Sequence, residues 1–136
     1  MLKEALKSMV PAVADERRRR IEALVQTYIG TLNSGDIDAR CALFSAQGSA
    51  EDPVGNPPLV GHEARKAFWG GGSGLKAKAQ LDSLIISGAS EAAYRFTVEL
   101  SAGPERATLS PLVTIQVNEE GLIEQMRVHF DQASIT

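Results

Sequence analysis

Two side chains in this sequence carry proton-transfer chemistry in settings that bear on it. Asp52 is a carboxylate directly before Pro53, ahead of the Gly55-Asn56-Pro57-Pro58 turn. Such a group is a general base if it projects into a cavity and a solvated turn former if it does not. Tyr28 falls on a regular apolar stripe, so its ring is expected inside, where its hydroxyl must find a partner in the core or on a ligand. His62 and His129 have no Ser, Cys or Asp at a spacing that reads as a triad. Cys41 is the only cysteine, which excludes an intrachain disulfide, and with two histidines it cannot furnish a structural zinc site. No metal and no cofactor are expected.

The elements that would hold these residues follow from periodicity. Ile21, Leu24, Val25, Tyr28, Ile29 and Leu32 recur at offsets of three and four, which predicts an amphipathic helix capped by Asp15 and ended by Gly35. The run Arg17 to Arg20 reads as its solvated end. Asp36 caps a shorter helix with Ile37, Cys41 and Phe44 on its apolar face, Cys41 as a small core residue. A short extended piece, Ser49 to Pro53, precedes the proline turn, and Gly61 to Trp69 returns to helical spacing with Ala64, Ala67 and Phe68 apolar. From Lys76 onward the chain is strand-like: Tyr94, Phe96, Val98 and Leu100 alternate with polar residues. Leu109, Val113, Ile115 and Val117 do the same, as do Met126, Val128 and Phe130. Helices followed by an antiparallel meander predict an α+β fold in which a curved sheet and the helices packed on one face enclose an apolar cavity.

The 136 residues suit one domain, and 43% hydrophobic with 23% charged residues is the composition of a folded globular chain. Fourteen Lys and Arg against 17 Asp and Glu leave a net charge of −3, which argues against nucleic acid as a partner. No apolar run approaches the roughly 18 residues of a membrane span. The stretch Met9 to Ala14 is too short, and too interrupted by Pro11, for a signal peptide, so a cytoplasmic protein is expected.

A resemblance sharpens this reading. Tyr28-Ile29, then Ser34-Gly35-Asp36-Ile37-Asp38-Ala39, then the run from Glu51-Asp52-Pro53-Val54-Gly55-Asn56-Pro57-Pro58 through Gly61-His62-Glu63 to Ala67-Phe68 resemble the bacterial ketosteroid isomerases. Weaker similarity continues through Phe96 to Leu100 and Asn118 to Met126, so it covers residues 21–136 and leaves 1–20 as an N-terminal extension. The resemblance implies the cone-shaped fold shared with nuclear transport factor 2 and SnoaL-like cyclases. It also implies a homodimer, a small apolar ketone such as a steroid as substrate, and a double-bond shift by intramolecular proton transfer. By position Asp52 matches the family's base and Tyr28 its tyrosine oxyanion donor.

The family's second donor, an aspartic acid, falls on Val113, which cannot donate, and its flanking phenols fall on Phe44 and Trp69. Tyr94, on the cavity side of its strand, and Trp69, with its indole N–H, are the candidate replacements. The cavity is expected to be lined by Leu32, Phe44 and Phe68 from the helical half and by Phe96, Val98 and Leu100 from one strand. Val113 and Ile115, then Met126, Val128 and Phe130, complete it. A SnoaL-like cyclase or hydrolase acting on a polyketide or terpenoid would need a further cavity-facing His, Arg or Asp, which the pattern does not place. A non-enzymatic small-molecule-binding module is the remaining alternative. The outer sheet face, with Thr97, Glu99, Arg127 and His129, is the expected dimer surface.

Overall fold

The computed structural model describes residues 1–72 and 74–136. Four helices are α1 (Leu2–Ser8), α2 (Asp15–Ser34), α3 (Ile37–Cys41) and α4 (His62–Gly70). The strands are β1 (Phe44–Glu51), β2 (Leu59–Val60), β3 (Lys76–Ser87), β4 (Glu91–Ala102), β5 (Glu105–Leu109), β6 (Leu112–Val117) and β7 (Ile123–His129). Among the described residues these strands form one strongly curled sheet in the order β2-β1-β7-β6-β4-β3, with β5 extending the partner edge of β4. The α+β architecture is therefore as the periodicity predicts, with one change of topology. β1 begins at Phe44, where a helix face was expected, and pairs parallel with β7, Ala50 opposite Met126. The rest of the sheet is antiparallel.

The apolar stripe of α2 lies on the concave face of the sheet. Ile21, Val25, Tyr28 and Ile29 meet Tyr94, Phe96 and Val98 of β4, with Val113, Ile115, Met126 and Val128 of β6 and β7 in the same core. A stripe of this width on a 20-residue helix is enough to hold the helix by burial alone. Gly35 adopts φ 71°, the left-handed turn that ends α2, and the Asp36 carboxylate accepts from the Ala39 backbone N–H at 3.0 Å to start α3. Gly48 tolerates no side chain, because a Cβ there would lie 2.5 Å from the Ile123 carbonyl oxygen.

Three expectations are corrected. α2 starts from Ala14 as its cap, with Asp15 its first residue, and it runs unbroken across residue 20, the boundary drawn for an N-terminal extension. Its arginines are not all solvated. The Arg17 side chain donates to the carbonyls of Ala89 at 2.6 Å and Asn118 at 2.8 Å, and Arg20 donates to Glu120 at 3.0 Å. These bonds tie the helix to two sheet turns. On α4, Phe68 is 47% exposed and lines nothing, whereas Arg65 is 1% exposed and Trp69 faces inward with it one turn on. The phase of α4 is set by the Arg65 guanidinium, which donates to the Gly48 and Ser45 carbonyls and stacks 4.6 Å from the Phe44 ring centroid.

Candidate functional site

Asp52 follows the end of β1, half-buried, and its Oδ2 accepts a hydrogen bond from the Trp69 indole N–H at 3.0 Å. Burial raises its pKa, and the Trp69 bond and the Arg40 charge oppose that rise. The carboxylate is thereby more basic than a solvated aspartate. Tyr28, 3% exposed on α2, has its phenol pKa raised, first by burial and then by the negative charge of Asp52. Tyr94, 2% exposed on β4, is raised for the same two reasons and by the neighbouring Tyr28. Both phenols therefore keep their protons and remain donors across the working pH range.

The two tyrosine rings meet edge to face at 6.3 Å, and Phe96 closes the group at 6.4 Å from Tyr28 and 6.3 Å from Tyr94. The Tyr94 hydroxyl is buried with no protein hydrogen-bond partner, a costly arrangement that a ligand oxygen would relieve. Val113 lies directly across from Tyr94 in the β4–β6 ladder and is fully buried. An apolar residue thus faces a buried phenol across the ladder. Trp69 does not offer its N–H to an oxyanion, because its single donor is already given to Asp52.

Arg40 is the residue the periodicity passed over. It is 6% exposed, and its guanidinium carbon lies 5.3 Å from the Trp69 ring centroid and 6.0 Å from that of Tyr28. Its signal was present: Ile37, Arg40 and Cys41 stand at the offsets of a single buried face, with an arginine where apolar residues were being counted.

A cavity of about 670 Å³ opens between the end of α2, α3, the loop after α4 and the starts of β3 and the end of β4. Leu32, Leu100, Arg40 and Trp69 are in its wall. Other expected lining residues are not: Phe44, Phe96, Val98, Val113, Ile115, Met126 and Val128 are buried in the packed core, and Phe130 rests partly buried against it. Tyr28, Tyr94 and Phe96 pack against one another in that core, and Phe44 pairs with Trp69 at 5.5 Å. The cavity ends at Trp69 and Arg40, the side chains that touch Asp52 and Tyr28. Among the described residues no group of three or more His, Cys, Asp or Glu could hold a metal, and no helix is long and apolar enough to cross a membrane.

A curled sheet with helices across its concave face, a carboxylate after the first strand and a tyrosine on the long helix define a small cone-shaped α+β domain with an interior polar site. Residues 25–126 match the SnoaL-like domain, and the chain belongs to that family. It is 29% identical over 107 residues to a steroid Δ-isomerase of Nocardioides simplex, covering 79% of this chain and 86% of that one. Its fold is similar to the Δ5-3-ketosteroid isomerase of a Mycobacterium species, with a TM-score of 0.76 and 24% identity over 86% of this chain and 97% of that one. It is also similar to the epoxide hydrolase/cyclase-like enzyme SalBIII of salinomycin pyran-ring formation, at 0.79 and 21% over 87% and 95% of the two chains. A third likeness is to RV0760c of Mycobacterium tuberculosis, solved in complex with estradiol-17β-hemisuccinate, at 0.77 and 22% over 86% and 98%.

Two outcomes follow from the electrostatics of Asp52. Its folded-state pKa is raised, so between the unfolded and folded values the folded chain binds more protons, and stability falls as pH rises through that window. Asp52→Asn removes this penalty and can still accept from Trp69. Its melting temperature should exceed the parent's by a few degrees at pH 8, with the gap closing towards pH 4. A gap that does not change with pH would show that the carboxylate carries no burial cost. Trp69→Phe removes the bond that favours the ionised form, so the pKa of Asp52, followed by carboxyl NMR titration, should move further upward.

Proposed function

We propose that this protein is an isomerase of the ketosteroid type, shifting a double bond in an unsaturated ketone with Asp52 as base and Tyr28 and Tyr94 as oxyanion donors. The observation that carries the reading is the unpartnered, buried Tyr94 hydroxyl beside Tyr28 and Asp52. In the first step an oxygen of Asp52 takes the proton from the carbon between the carbonyl and the double bond. The electron pair of that C–H bond moves to the carbonyl oxygen as a dienolate, which accepts from two neutral phenols. In the second step the protonated Asp52 returns the same proton to the far end of the former double bond, and the carboxylate is restored.

The environment suits each role. A base raised above an ordinary aspartate by burial is a better proton acceptor. Phenols that cannot ionise place no negative charge against the dienolate and donate to it most strongly once its charge has developed. Trp69 links the two features, since it stands in the cavity wall and donates to the Asp52 carboxylate. The steroid Δ-isomerase relative and the steroid bound by the mycobacterial neighbour support an apolar ketone as the substrate class.

A second reading, an epoxide hydrolase or cyclase on a polyketide or terpenoid, is favoured by one observation: Arg40 supplies the cavity-wall cation that the sequence pattern does not place. Direct product analysis on a steroid 5-en-3-one and on an epoxide separates the two. For the isomerase, Asp52→Asn should lower kcat by several powers of ten with ligand binding retained, and Tyr28→Phe or Tyr94→Phe should each lower it by about 10²–10³, the worth of one donor. An Asn variant turning over at the parent rate would overturn the assignment.

We also propose a homodimer through the outer sheet face. Thr97 is held there by Asp82 at 2.6 Å, and Arg127 pairs with Glu51 at 2.7 Å, which fixes the polar groups of that face in place for a second copy. Sedimentation at micromolar concentration should give a species twice the chain mass, and a single species of monomer mass would exclude the dimer.

A further inference from the structure

Arg40 is a buried cation without an anion. Its Nε donates to the Thr31 hydroxyl and its Nη2 to the Thr31 carbonyl, both at 3.2 Å, and both acceptors are neutral. Among the described residues the ion pairs are Lys66–Asp38 and Arg127–Glu51, and neither involves Arg40. Asp52 acts on it only at longer range, with its carboxylate held by Trp69. Nη1, with two N–H groups, has no hydrogen bond to the protein, and the side chain stands in the wall of the 670 Å³ cavity. Three of the five N–H donors of this guanidinium thus have no protein acceptor, and an anion in the cavity would meet them.

The cavity wall says what that is. Its charged members are Arg40 and Lys76, and no carboxylate lines it among the described residues, although the chain as a whole carries a charge of −3. The Asn33 amide, a neutral polar group of the wall, is spent on the Ala79 backbone, donating at 2.9 Å and accepting at 2.7 Å. The remaining surface is largely apolar, from Leu32, Ile37, Leu75, Ala77 and Leu100. We propose that the occupant of this cavity is an organic anion, an apolar molecule bearing a carboxylate, and that Arg40 selects it. A guanidinium fork matches a carboxylate in plane and in spacing, and burial raises the worth of the pair above that of a surface contact. The inference rests on the reading of this cavity as the substrate site, and it narrows the substrate from an unsaturated ketone to an oxo acid.

The test compares an acid with its uncharged counterpart, by calorimetry, on the whole chain. One pair is 3-oxo-4-androstene-17β-carboxylic acid and its methyl ester; the other, which does not presuppose a steroid, is 4-phenylbutyrate and 4-phenylbutyramide. In at least one pair the acid should bind about tenfold to a hundredfold more tightly than its neutral partner, as expected for hydrogen bonds to a charged group. Arg40→Met, close in volume, should abolish that preference. Arg40→Lys should keep part of it, and this variant decides the matter if the Met variant does not fold. Equal affinity within both pairs, absence of binding by either acid, or a preference that survives in Arg40→Met would overturn the proposal. Because these readouts are of binding, loss of the isomerase reading through absent turnover leaves them intact, and the reverse also holds.

Discussion

The arrangement of the polar site depends on a guanidinium that does no chemistry. Arg65 fastens α4 to the irregular start of β1 through the Gly48 and Ser45 carbonyls and the face of Phe44. Gly48 makes that approach possible, since the Ile123 carbonyl leaves no room for a Cβ. One turn later on the same face of α4 stands Trp69, whose N–H holds Asp52. The register of α4 against β1 therefore decides where the carboxylate of the following turn can rest. Rotating the helix to bury Phe68 in place of Arg65 would satisfy a simple hydrophobic count and would take the indole away from Asp52. The buried cation specifies the site where apolar packing alone would not.

Within the site one physical effect acts in opposite chemical directions. Burial discourages ionisation of the carboxylate and of both phenols, so all three move towards their protonated forms. For the phenols this is pure gain, because a donor must keep its proton. For Asp52 it is a balance, because a base must be basic and yet ionised. The Trp69 hydrogen bond and the Arg40 charge supply the opposing pull. Without them burial alone would act on the carboxylate, and its pKa would rise further.

The long stripe of α2, the alternation of β4, β6 and β7 and the capping of α3 are legible in the sequence because each depends on a period that a single segment displays. The parallel pairing of β1 with β7 is not, since it joins segments some 75 residues apart and neither carries a mark of its partner's direction. Asp52 and Tyr28 stand out through the resemblance to the ketosteroid isomerases, not through local pattern. Which inward residues line the cavity and which pack in the core is not legible, because that depends on volumes summed across several elements. Arg40 and Arg65 are not legible as buried residues, because a helix face shows its burial through apolar members and an arginine carries no such mark.

Across the β4–β6 ladder an apolar residue, Val113, faces a buried phenol, Tyr94. A carboxylic acid donor at the position of Val113 would have to be kept neutral by its surroundings, and it would compete with Asp52 for the same field. A phenol on the facing strand avoids that competition, since its ordinary pKa already lies far above neutrality and burial moves it further in the useful direction. Val113 opposite it is apolar and offers the Tyr94 hydroxyl no hydrogen-bond partner, and that hydroxyl stays buried without a protein acceptor or donor.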